Sequence, residues 1–173
     1  PVDQCRALHA RRRGARLRSH AATSRPRPHP RLAVLTGHSA LIVNPVARRT
    51  AGAERAVLRA FRAAGVTLTV EQTREAGDGV RVARELAASH DRLFVLGGDG
   101  TVMDVATGLA EAGSSAAIGI LPSGTGNQLA RALSIPLHPS RAVGALLRGT
   151  VRRLDLAVLN GRRRVGIGAG EEH

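Results

Sequence analysis

The chain has 173 residues, 43% of them apolar and mostly Ala, Leu and Val, with two Phe and neither Tyr nor Trp. That length holds one ordinary domain with a full aliphatic core and excludes two large ones. All 26 Lys+Arg positions are Arg, the net charge is +13, and residues 1–38 alone carry nine Arg against a single acid, Asp3.

The first segment, residues 1–38, contains Arg11-Arg12-Arg13 and the run Arg25-Pro26-Arg27-Pro28-His29-Pro30. Three prolines in five positions forbid a helix, and the charge opposes a packed strand, so a solvated Arg/Pro-rich tail is expected. An organelle transit peptide is the alternative, although that class is richer in Ser and more amphipathic. The lone cysteine, Cys5, falls in this tail and reads as a free thiol.

Order is expected from residue 39. Ala40-Leu41-Ile42-Val43, ended by Asn44-Pro45, suits a buried strand. Between Gly52 and Ala64, apolar residues recur at intervals of three and four, predicting a helix that stops at Gly65. Val66 to Val70 alternates and predicts a second strand. After Thr73 and a Gly77-Asp78-Gly79 turn, Val80, Ala83, Leu86 and Ala87 mark a second helix reaching Ser89. A strand over Leu93–Leu96 enters Gly97-Gly98-Asp99-Gly100-Thr101, and a helix over Val102–Ala112 leaves it. The pattern then repeats: a strand over Ala117–Leu121, the loop Pro122-Ser123-Gly124-Thr125-Gly126-Asn127, and a short helix from Gln128. A helix over Ser140–Leu147 follows, then a strand over Val151–Leu159, an Asn160-Gly161 hairpin turn, and a return over Arg164–Ile167.

Strands alternating with helices predict a three-layer α/β domain over residues 39–150, a parallel sheet with helices on both faces. Ligands of such sheets bind beyond the carboxyl ends of the strands, where Asn44, Thr73 and both glycine loops fall. A glycine loop before a helix lets a phosphate approach backbone amides that a Cβ would screen, and the helix start adds partial positive charge. Asp99 in that loop can hold Mg²⁺ beside a phosphate or take a proton from a hydroxyl; as a structural residue it would cap a helix. Thr101 and Thr125 place hydroxyls at helix entrances, to cap or to meet a phosphate.

Other chemistries are poorly supported. The chain has no Lys and so no P-loop, and it lacks Gly-x-Gly-x-x-Gly and Gly-x-Ser-x-Gly. Its seven His are scattered without metal-ligand spacing. Base-stacking aromatics are nearly missing, which argues against nucleic acid as the partner of the basic surface. No run of 18 apolar residues is present to span a bilayer.

With these motifs in order, the sequence resembles the diacylglycerol kinase catalytic domain family of lipid kinases. The shared pieces are Leu41-Ile42-Val43-Asn44-Pro45, Thr73 ahead of Gly77-Asp78, Gly97-Gly98-Asp99-Gly100-Thr101-Val102, and Gly119-Ile120-Leu121-Pro122-Ser123-Gly124-Thr125-Gly126-Asn127. Ala130-Arg131-Ala132-Leu133 and Leu154-Asp155-Leu156 continue the match. The resemblance implies a Rossmann-like fold and transfer of the γ-phosphoryl group of ATP, with Mg²⁺, to the hydroxyl of diacylglycerol or a related lipid. It implies nucleotide contacts from Asn44, Thr73, Gly97, Gly98, Asp99, Gly100, Thr101, Val102, Met103, Ser123, Gly124 and Thr125, with Asp99 as a candidate catalytic carboxylate. It further implies a cytoplasmic protein working at a membrane surface, and a second, β-rich domain of which residues 151–173 are the start. Two departures stand out: Met103-Asp104 replaces the usual Asn-Glu, and Val46-Ala47-Arg48-Arg49 replaces a small Ser-Gly turn. A nucleotide-binding regulatory fragment and an NAD kinase-like enzyme are the alternatives, and the Pro-Ser-Gly-Thr-Gly-Asn continuation favours the lipid branch over the second.

Overall fold

The computed structural model describes residues 37–47, 50–159 and 162–166; residues 1–36 of the expected Arg/Pro-rich tail, Arg48, Arg49, the Asn160-Gly161 pair expected to form a turn, and residues 167–173 lie outside them. Four strands, β1 (Ser39–Val43), β2 (Thr69–Gln72), β3 (Arg92–Gly97) and β4 (Ala117–Pro122), form one parallel sheet in the order β2-β1-β3-β4. The connecting helices are α1 (Thr50–Ala63), α2 (Asp78–Ala87) and α3 (Asp99–Glu111), and α4 (Gln128–Ala132) and α5 (Pro139–Arg148) follow β4.

All five β1 residues are buried, because the strand has neighbours on both sides and helices over both faces. Side chains alternate between the faces. Ala40 and Ile42 join Leu93, Val95 and Ile120 in a core with Val82 and Leu86 of α2, Val105 and Leu109 of α3, and Ala130 of α4. Leu41 and Val43 join Phe94, Leu96 and Leu121 in a second core with Val57 and Phe61 of α1 and Val143 of α5. Phe61 and Phe94 meet there with ring centroids 4.6 Å apart. The expected α/β sandwich of three layers is therefore the observed one.

Three expected boundaries move for physical reasons. Val66 does not begin a strand: its amide donates to the Phe61 carbonyl at 3.0 Å, with Gly65 at φ +72°, so it closes the end of α1 as a buried cap residue. The strand starts three residues later, at Thr69, where register with Ala40 begins. Likewise, Val151–Leu154 carries no strand, and only Asp155–Leu159 (β5) pairs antiparallel with Arg162–Gly166 (β6), in a two-stranded sheet of its own. Helix α3 begins at Asp99, three residues before its expected start, so the glycine loop supplies its first turn.

Candidate functional site

From β1 the chain crosses to β2 on one side and returns to β3 on the other, so a crevice opens between the carboxyl ends of β1 and β3. Asn44 leaves β1 at that point and Thr101 lies in the first turn of α3. The Asn44 Nδ2 donates to Thr101 Oγ1 at 2.8 Å, and Asn44 Oδ1 accepts the Val46 amide at 3.1 Å, so the side chain is held at both ends. Thr101 is buried, and it folds back over Gly97 so closely that a Cβ there would lie 2.8 Å from Thr101 Cβ.

The two glycine loops form one unit. Ser123 continues the β3–β4 ladder through its amide, which donates to the Gly97 carbonyl at 2.9 Å, and its buried hydroxyl meets Thr50 Oγ1 at 3.2 Å. Gly98 and Gly124 then pass backbone against backbone: a Cβ on Gly124 would lie 2.6 Å from Gly98 Cα. Asn127, in the left-handed region at φ 49°, brackets Gly124 by accepting its amide at 3.1 Å and donating to its carbonyl at 2.8 Å.

Asp99 ties the first loop to the helix after the second. Its carboxylate accepts the Gln128 amide at 3.0 Å and the Leu129 amide at 3.1 Å, and so caps α4. It does not cap its own helix: Gly98 is the N-cap of α3, and no side chain caps that end. The α3 N-terminus thus presents its first-turn amides and its share of the helix dipole to the crevice. A Cβ on Gly100 would meet nothing within 4 Å, so the loop faces open space. These are the features of an anion cradle.

Nearby carboxyls are distinguished by their surroundings. Burial raises the Asp104 carboxyl above its ordinary range, opposed by a hydrogen bond from the Gly77 amide. Asp78 is held below the usual range, chiefly by the Arg81 guanidinium at 2.8 Å and then by the Arg74 amide at 2.9 Å.

Of the residues expected to contact a nucleotide, Asn44, Gly97, Gly98, Asp99, Gly100, Thr101, Ser123 and Gly124 converge on this crevice. Thr73 follows β2 on the far side of β1 and is buried, its amide and hydroxyl both donating to the Val43 carbonyl, at 2.9 and 3.5 Å. The Val102 side chain belongs to the core, which leaves only its backbone for a ligand. Met103 is half-buried and Thr125 exposed. Thr50 and Asn127 are absent from the sequence-based set. The signal for Asn127 was available, since Asn after Gly tolerates the left-handed conformation; nothing local marks Thr50 as the partner of a serine 73 residues away.

Among the described residues, no three His, Cys, Asp or Glu cluster as a metal site, and no helix is long and apolar enough to cross a membrane. These residues do not by themselves build a site for Mg²⁺.

Residues 38–159 match the family model for the diacylglycerol kinase catalytic domain. A Pseudomonas fluorescens protein named "Probable lipid kinase YegS-like" is 44% identical over 117 residues, covering 67% of this chain and 39% of that protein. A Bacillus subtilis diacylglycerol kinase is 35% identical over 116 residues, covering 66% of this chain and 38% of its own. A diacylglycerol kinase crystal structure from Bacillus anthracis superposes with a TM-score of 0.66 at 31% identity, covering 73% of this chain and 45% of that one. The chain thus spans less than half the length of these relatives. With the glycine loops, the parallel sheet and the family match in agreement, the chain belongs to the diacylglycerol kinase catalytic domain family.

Proposed function

We propose that this chain is the nucleotide-binding portion of an ATP-dependent lipid kinase, which transfers the γ-phosphoryl group to the hydroxyl of diacylglycerol or a related lipid. The observation that carries the reading is the joined pair of loops at the β1/β3 crevice, where Gly98 and Gly124 pack backbone to backbone and the α3 N-terminus, with no side-chain cap, turns its first-turn amides to the crevice. Phosphoryl transfer depends on positioning and charge neutralisation more than on covalent chemistry, and such a cradle supplies the first. The loop glycines and the first-turn amides of α3 hold the phosphates, braced from behind by the Asn44–Thr101 and Ser123–Thr50 pairs, with Thr73, the Val102 backbone, Met103 and Thr125 around them. Asp99 acts through its cap on α4, which ties the first loop to the helix after the second. Mg²⁺ enters with the nucleotide, as its counter-ion. The acceptor is met at the cytoplasmic surface of a membrane.

Titration calorimetry of this chain with Mg-ATP tests the reading, together with radiolabelled transfer to diacylglycerol in mixed micelles. Saturable binding with little or no transfer is expected, since the chain spans under half of its relatives. Failure to bind Mg-ATP overturns the nucleotide site. Rapid lipid phosphorylation by this chain alone overturns the division of labour, and phosphorylation of NAD in place of lipid overturns the substrate class.

A further inference from the structure

The crevice has a wall that the glycine loops do not supply. Thr73 sits beside β1, its amide donating to the Val43 carbonyl at 2.9 Å, and four residues later Gly77 opens α2 as its N-cap, at φ 87°. Being glycine, Gly77 has no side chain with which to cap that helix. A carboxyl from another helix meets it instead: Asp104 of α3 accepts the Gly77 amide. The same carboxyl lies against the first turn of α2, where a Cβ on buried Gly79 would stand 2.8 Å from Asp104 Cβ and 3.5 Å from Asp104 Oδ2. Asp104 thus does for α2 what Asp99 does for α4, and α3 holds the start of two other helices.

These two attachments fix the path of the segment between them. It starts on the far side of β1 from β3 and ends on α3, so it crosses the β1 end of the crevice. From β2 to β3 is two strand spacings, about 10 Å. Four extended residues reach at most about 14 Å, so a link pinned at both ends has little slack. Its backbone is further closed by Asp78, whose carboxylate accepts the Arg74 amide at 2.9 Å. The α3 amides and the Gly98–Gly124 contact lie beyond it, toward β3 and β4. Glu75, exposed in the middle of the segment, would repel a phosphate but can accept from the hydroxyls of a ribose.

We propose that Asp104 is a positioning residue for the nucleotide: by holding Gly77 it sets the Thr73–Gly77 segment as the wall against which the nucleoside half packs, while the glycine loops hold the phosphates. This rests on the proposed nucleotide site and names which part of the ligand each wall serves. Removing the carboxyl leaves the site no more negative than before, so a loss of affinity on its removal comes from position and not from charge. A side-chain amide at the same place keeps an oxygen that accepts from Gly77, so Asn substitutes for Asp here.

Two measurements on the full chain separate the parts of this assignment. Without ligand, hydrogen exchange at the Gly77 amide, followed by NMR, should speed up about tenfold in Asp104→Ala, the worth of one hydrogen bond to a charged acceptor, and keep the parent rate in Asp104→Asn. With ligand, binding is read by displacement of a fluorescent ATP analogue, so that only the shared site counts and not diffuse attraction to a chain of net charge +13. Asp104→Ala should weaken Mg-ATP about tenfold and leave magnesium tripolyphosphate unchanged, and Asp104→Asn should restore the parent affinity. Gly79→Ala, which drives a methyl between α2 and Asp104, should repeat the ATP-specific loss, and it decides the question if Asp104→Ala fails to fold. Unchanged exchange at Gly77 overturns the attachment. Equal losses for ATP and tripolyphosphate, no loss for either, or an Asn variant as weak as Ala overturns the nucleoside wall. Failure of the parent chain to bind Mg-ATP overturns the nucleotide reading itself, and this proposal with it.

Discussion

Asn44 and Thr101 bridge the crevice through one 2.8 Å bond, and Thr101 is buried, so removing either partner leaves the other's polar atom poorly satisfied. Asn44→Ala should lower stability by about 1–2 kcal/mol in urea titrations followed by circular dichroism. The Asn44→Ala, Thr101→Val double mutant should lose less than the sum, a coupling of about 1 kcal/mol that identifies the bond as the cause. Asp99 presents a different case, because both its hydrogen bonds cap a helix other than its own. Asp99→Ala should cost about 1 kcal/mol, and Asp99→Asn less, since an amide oxygen still accepts one of the two donors. For Asp104 the sign reverses. Its folded-state pKa is raised above the ordinary carboxyl value of 3.8, so as pH climbs from there through the folded pKa the unfolded chain has released a proton that the folded chain still holds. Stability therefore falls as pH rises across that window. Asp104→Asn should melt higher than the parent at pH 7, and the gap should close below pH 3.8.

At the scale of elements, glycine decides how closely neighbours approach. Gly124→Ala sets a methyl 2.6 Å from Gly98 Cα, and backbone cannot step aside as a side chain can. A loss of about 1–3 kcal/mol is expected, together with a drop in Mg-ATP affinity in calorimetry, because the two loops must separate. The helices α2 and α3 use the same device: a Cβ on Gly108 would strike the Val80 carbonyl and one on Gly79 would lie 2.8 Å from Asp104 Cβ. Such contacts explain the limits of reading the sequence. The unbroken apolar run at β1 announces a strand covered on both faces, and the strand–glycine–helix repeat places both loops at one sheet edge. Strand β2, by contrast, is exposed throughout, so no core pattern marks its start and the Val66 to Val70 alternation misleads. The same blindness hides Asp99 at α4 and Thr50 at Ser123. Each is a pairing between residues 29 to 73 positions apart, and local periodicity carries no trace of it.

For the molecule as a whole, the all-parallel sheet has a kinetic consequence. No pair of its strands can be joined by a hairpin; each must wait for a crossover to close, and that entropy is lost before any ladder bond repays it. Proteins built from such distant contacts fold slowly. The β1–β3 pairing spans about fifty residues and the Asn44–Thr101 bond closes 57, so the crevice can only assemble once the central strands have met. In refolding from urea, the recovery of Mg-ATP binding should track the slowest phase seen by stopped-flow circular dichroism and never run ahead of it. The order of the strands thus puts the closing of the β1/β3 crevice after the meeting of the central strands, and makes a ligand that fills it a witness that those strands are already in place.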